Sequence, residues 1–116
     1  MGAVVFTIDP LGVGSAGNRR CVIGSYHLST SYASGGDTFD PSDIGLQILD
    51  EIVLGLARDS GSETVIACDC TAVLPLVATQ FTAGTPAGKI TGYAVPAEVS
   101  PGDQSAFIGR FVAFGS

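Results

Sequence analysis

The sequence predicts an all-β fold: an antiparallel β-sandwich or barrel-like single domain over residues 1–116, with at most one short helical turn. Three observations carry that expectation. Runs rich in Val, Ile, Phe, Thr and Tyr recur along the chain and are separated by clusters of Gly, Pro, Asp and Ser. Glycine occupies 16 of 116 positions, roughly twice its ordinary share and a mark of frequent turns. The best helical window, residues 44–57, fits strand alternation nearly as well as helical spacing.

Ala3 to Ile8 reads as the first strand. Asp9-Pro10 with Gly12, Gly14 and Gly17 reads as its end, so that 1–20 is expected to form an extended arm and loop that reaches a neighbour. From Arg20 to Ala33 the chain is β-prone; Val22, Tyr26, Leu28, Thr30 and Tyr32 share one parity, Cys21 and Ile23 the other, with a bend expected at Gly24. Ser34-Gly35-Gly36-Asp37 breaks this run. Asp40-Pro41-Ser42-Asp43 is a helix start: a capping Asp, a proline at the first helical position and an acid three residues after the cap. Beyond it Leu49, Ile52, Val53 and Leu56 fit a helix, while Leu46, Ile48, Ile52, Leu54 and Leu56 fit a strand broken only by Asp50.

Glu63–Cys70 and Thr71–Thr79 are the next strands, the latter at a sheet edge because Pro75 cannot donate to a ladder. Lys89–Val95 follows, bracketed by Pro86-Ala87-Gly88 and Pro96. Pro101-Gly102-Asp103 is a turn, and Ser105–Phe114 is the last strand. Phe107 and Phe111 share one of its faces, Ile108, Val112 and Phe114 the other. Both faces are apolar, which predicts the domain's own core on one side and a neighbouring molecule on the other.

Composition narrows the function classes. Five basic against eleven acidic residues give a net charge of −6, the wrong sign for displacing counterions from phosphates, so no nucleic-acid partner is expected. The mean hydropathy is positive, +0.43, yet no stretch approaches the roughly 20 apolar residues of a spanning helix, and no membrane partner is expected. The N-terminal residues lack the basic region and cleavage site of a secretory signal. An apolar chain with 14% charged residues must cover its excess apolar surface, and a partner or a second copy is the natural cover.

No enzyme chemistry assembles. His27 is the only histidine; without a Gly-x-Ser-x-Gly elbow it reads as a packing or surface residue rather than a catalytic base. Cys68-Asp69-Cys70 lacks both zinc-ligand spacing and a second ligand pair, and with Cys21 these read as buried reduced thiols. Gly12–Gly17 is not a phosphate-binding loop, because its glycines are misplaced and a strand follows. Asp37, Asp40 and Asp43 lack the closing glutamate of a calcium loop. No cofactor, metal or catalytic residue is expected. The candidate partner-binding residues, chosen by exposure, are Phe6, Arg19 and Arg20 in the N-terminal region and Phe111, Val112 and Phe114 in the last strand.

One pattern stands above this background. It runs through Gly17-Asn18-Arg19-Arg20, Gly24-Ser25-Tyr26, Ser31-Tyr32-Ala33-Ser34-Gly35-Gly36-Asp37 and Pro41-Ser42-Asp43-Ile44-Gly45-Leu46. It resumes at Glu98-Val99, Asp103-Gln104-Ser105 and Arg110-Phe111-Val112-Ala113-Phe114-Gly115. In these segments the chain resembles small tailed-bacteriophage virion proteins of the capsid decoration, or cement, type. About residues 58 to 96 carry no matching motif. Within the matched pattern, Gly35-Gly36 suits positive φ, Asp37 is placed to bond the backbone just beyond, and Gly45 ends a brief helical turn over 41–45 with a strand from 46.

The resemblance implies a mostly antiparallel β protein that assembles as a homotrimer on the outer surface of the capsid. There it would bind the major capsid protein and clamp the shell against internal DNA pressure, after synthesis in the host cytoplasm. Other classes remain: a tail or head-fibre component, a carbohydrate-binding β-sandwich, and a small hydrolase. The absence of Trp and the three tyrosines argue against a sugar platform, which relies on aromatic faces.

Overall fold

The computed structural model describes residues 2–32, 34–59, 61, 64–71, 74–78, 88–94, 97–98 and 101–116. Its strands are β1 (Val5–Ala16), β2 (Arg19–His27), β3 (Asp37–Phe39), β4 (Ile48–Leu54), β5 (Ala57–Asp59), β6 (Thr64–Cys70), β7 (Leu76–Val77), β8 (Gly88–Ala94), β9 (Ala97–Glu98) and β10 (Ile108–Gly115). A 3₁₀ turn over Pro41–Ile44 is the one helical element among the described residues. The strands form one sheet in the order β1-β2-β10-β5-β6-β8-β3, with β4 also on β10, β7 on β4 and β9 on β8. All these pairings are antiparallel, and the sheet curls into a half-barrel. The all-β expectation holds.

The helical turn forms for the local reasons that its residues announce. Asp40 accepts from the Ser42 amide at 3.1 Å and Asp43 accepts from the Asp40 amide at 3.0 Å, which satisfies amides that a helix start leaves without partners. Gly45 closes it at φ 76°, a left-handed conformation that glycine adopts without a Cβ penalty. Strand β4 follows, so residues 48–54 are extended.

The N-terminal expectation needs correction. The chain does not leave the sheet at Asp9: β1 continues to Ala16 and pairs with β2 as far as Ala16↔Arg19, with a register shift between Ile8 and Val13. Residues 12–20 are therefore hairpin and not a loose loop, and from Val5 the supposed arm is a ladder strand. Pro10 is tolerated because β1 is an edge strand and the irregularity absorbs its missing donor. Turn chemistry of this kind marks a bulge as readily as a loop.

Gly24 produces no break in pairing; it lies between Ile8 on β1 and Phe111 on β10. The reason for glycine there is close approach, since a Cβ would stand 2.1 Å from the Thr7 carbonyl oxygen and 3.0 Å from the Phe111 ring. Gly24→Ala is expected to destabilise the fold by about 3 kcal/mol, the upper range for overpacking. Urea unfolding checks this, and an unchanged midpoint would contradict it.

The last strand starts three residues later than expected, at Ile108. Its position is central: β2 flanks one side, β4 and β5 the other. Strand β5 has no counterpart in the sequence reading. Among the described residues the β-prone segment from Thr71 forms the two-residue β7, which pairs with β4; residues 72–73 and 79 of that expectation lie outside the described residues. So do Ala33, Glu63, Val95, Val99 and the prolines at 86 and 96.

Inside the half-barrel the core is built from the expected parity of β2 and its continuation. Val22, Tyr26, Leu28 and Tyr32 are buried, together with Phe39, Leu49, Ile66 and Phe111. Asp37 is also fully buried. Among the described residues its carboxylate accepts from the Ser29 amide at 2.6 Å and the Ser29 hydroxyl at 3.0 Å, before it in the chain and not just beyond it. A carboxylate taken out of water needs such donors.

Tyr26 donates its hydroxyl to the Gly55 carbonyl at 2.6 Å and has the Cys68 thiol beside it. Burial, reinforced by that thiol, raises the Tyr26 pKa, and burial raises that of Cys68 above its ordinary 9.0, opposed by the Tyr26 hydrogen bond. Both groups fold in their neutral forms. Their contribution is complete below the unfolded pKa values and is lost as pH rises beyond them. The thermal midpoint is accordingly expected to fall above pH 9, and less steeply in Cys68→Ala. Equal alkaline slopes for the two proteins would contradict the assignment to Cys68.

Candidate interaction surface

Residues directly opposite each other on antiparallel strands point to the same side, so the register of β1, β2, β10 and β4 reads out the outward face. Ile23, Val112 and Val53 form one cross-strand row, Cys21, Phe114 and Glu51 the next, and Val5, His27 and Ile108 another on the far side of Ser25 and Arg110. Within these rows Val5, Ile23, Val53 and Ile108 are 45%, 39%, 57% and 54% exposed. An antiparallel sheet with one wetted face ordinarily carries polar residues there. Here Val5, Ile23, Val53, Ile108 and Val112 bring aliphatic side chains to the outward face, with Ser25 and Arg110 between its rows.

A groove of about 290 Å³ opens on this face, lined by Ile23, Val53, Gly55, Arg110 and Val112 together with Phe111. Position 55 widens it by lacking a side chain. Arg110 stands at the groove and pairs with Asp9 of β1. That ion pair lowers the Asp9 carboxyl below the usual carboxylate range and raises the guanidinium. It is exposed, and such pairs contribute little to stability.

The six candidate residues separate into three groups. Phe111 is 1% exposed and packs edge-to-face on Phe6 at 5.1 Å, and Phe6 meets Phe39 at 5.9 Å. Phe6 and Phe111 therefore belong to the protein's own core, which corrects their assignment to a contact with a neighbour. The correction follows from β10 running beside β2, which turns the Phe111 side inward. Val112 and Phe114 have the opposite parity and lie on the outward face, each half-buried.

Arg19 and Arg20 occupy the end of the β1–β2 hairpin. Arg20 donates to the Gly45 carbonyl at 3.0 Å, and Arg19 lies 3.7 Å from Asp50. Both tie the hairpin to its own chain while the Arg19 side chain stays 60% exposed. The sequence reading passed over Ile23 and Val53 as surface residues. Opposite parity to Val22 marks Ile23 as outward, but only the register joins it to Val112 and Val53.

The remaining chemistry is sparse. His27 donates from Nδ1 to the Leu28 carbonyl at 2.9 Å, the direction required because a carbonyl oxygen can only accept. Cys68 and Cys70 both pack against the core, as their shared parity predicts, and no disulfide joins any two of Cys21, Cys68 and Cys70. Among the described residues no three His, Cys, Asp or Glu side chains gather as a metal-holding group would.

The fold and this face define the chain by architecture: a small antiparallel β scaffold with an apolar surface open on its outer side. Compared with known proteins, it matches no family model, no curated protein and no solved structure.

Proposed function

We propose that the chain is a structural virion protein, a non-catalytic decoration protein that binds the outer surface of a bacteriophage capsid and stabilises the shell, with copies of itself as a second partner. The observation that carries this reading is the outward row Ile23–Val112–Val53 with Phe114 in the row beside it, and with Val5 and Ile108 beyond Ser25 and Arg110. A chain of net charge −6 with 46% hydrophobic residues gains stability by covering such a face, since contiguous exposed apolar patches mark interaction sites. The resemblance of the Ser31–Leu46 and Asp103–Gly115 segments to phage decoration proteins supplies the particular partner and the homotrimer.

The mechanism is mass action. A protein that binds only the assembled shell shifts the equilibrium away from its disassembly, and a trimer multiplies modest contacts through effective concentration. Cosedimentation with expanded empty capsids of the encoding phage tests the proposal. Saturable pelleting with the shells is expected. No binding to shells, together with retention on a glycan array, would replace the proposal by a carbohydrate-binding role.

A further inference from the structure

The path of the sheet begins at β1 and ends at β3, and three residues ahead of β1 join these two ends. Ala3 faces Thr38 in a parallel bridge, the one parallel pairing among the described residues. The Val4 amide donates to the Thr38 carbonyl at 2.9 Å, and the Thr38 amide donates to the Gly2 carbonyl at 3.1 Å. The Thr38 hydroxyl donates to the same Gly2 oxygen at 3.3 Å. At Val5 the chain changes partner and pairs with His27 of β2. Residues 2–4 thus close a seam that the antiparallel ladders leave open.

Ser29 is the seat of this seam. A Cβ on Gly2 would stand 1.8 Å from the Ser29 Oγ, 2.5 Å from the Ser29 Cβ and 3.2 Å from Asp37 Oδ1, so glycine is what lets the backbone lie this close. The same Ser29 holds the buried Asp37 carboxylate through its amide and its hydroxyl. Its carbonyl accepts from the Gln104 amide at 3.0 Å. One serine therefore joins residues 2–4, the start of β3 and the segment that leads into β10.

The join is slight beside the ladders. Two main-chain hydrogen bonds hold it, whereas β2 and β10 keep register from Ile108↔His27 to Gly115↔Arg20. Of its three residues, Val4 alone is buried. Beneath it Asp37 is 0% exposed, and a carboxylate there regains water when the seam parts, which favours opening. Segments that bury little apolar surface open ahead of the rest of a fold.

We propose that Gly2–Val4 is a clasp: it parts from Thr38 and Ser29 as a unit and uncovers the outer edge of β3, while the β1–β2 and β2–β10 ladders stay formed. Those ladders carry the outward face, so the clasp opens without disturbing the Ile23–Val112–Val53 row. The inference is independent of what that row binds.

Native-state hydrogen exchange, read residue by residue by NMR over a series of low urea concentrations, tests the clasp on the wild type and on Gly2→Val. In the wild type the Val4 and Thr38 amides are expected to share one protection factor, at least about tenfold below that of the β2–β10 ladder amides. Their protection also falls less steeply with urea, because opening the clasp exposes less surface than unfolding does. Gly2→Val cannot seat on Ser29, so the protection of Val4 and Thr38 collapses while the ladder stays protected. The ladder amides lose no more than the factor that the clasp amides had in the wild type, because beyond that point the open form is itself the native state. Wild-type Val4 and Thr38 amides as protected as the ladder would overturn the proposal. So would a Gly2→Val chain that unfolds or loses more ladder protection than this bound, and one whose Thr38 amide stays as protected as in the wild type.

Discussion

Phe111→Ala is expected to remove about 3–5 kcal/mol of stability, the usual range for deleting a buried aromatic ring. For a domain of this size that is a large part of the total, which is typically about 5–15 kcal/mol. The ring is 1% exposed and joins Phe6 to the inner face of β10, so its loss opens the centre of the half-barrel. Neighbouring strands cannot close the gap, because β10 is held by β2 along one side and, from Phe111 to Gly115, by β4 along the other. Urea unfolding followed by near-ultraviolet circular dichroism measures the effect. A loss under 1 kcal/mol would show that the inward side of β10 is not the core.

Val112→Asp, one residue further on, is expected to do the opposite. Val112 is half-buried on the outward face, opposite Ile23 and Val53, so a carboxylate there keeps access to water and changes fold stability by about 1 kcal/mol or less. In an assembled interface the same carboxylate is desolvated between aliphatic side chains without a partner. Self-association and shell binding are each expected to weaken at least tenfold, about 1.4 kcal/mol or more. Native mass spectrometry, with thermal melting as the control for folding, distinguishes the cases. A variant that melts like the wild type and still assembles like it would take Val112 out of the interface.

That adjacent residues carry opposite roles shows how far the sequence could be read. Alternation separates Phe111 from Val112 and Phe114, and it shows both sides of the strand to be apolar. Which side turns inward depends on β10 lying beside β2 and Phe6, a pairing between segments some eighty residues apart that no local pattern contains. The groove escapes sequence reading for the same reason: Ile23, Val53 and Val112 meet only through register across three strands.

Local chemistry was legible where it decides local structure. Asp40, Pro41, Asp43 and Gly45 announce a capped turn, and the turn is there. The same kind of signal misleads at Pro10 and Gly12, because an edge strand can absorb a proline in a bulge and continue. Three-residue β5 is too short for any periodicity to show.

A cryo-EM reconstruction of expanded capsids incubated with the protein tests the central claim most directly. The account predicts the chain on the outer surface where capsid subunits meet, with the Ile23–Val112–Val53 row buried between molecules. Decorated particles in which that row faces solvent, or particles that carry no density for the chain, would contradict it.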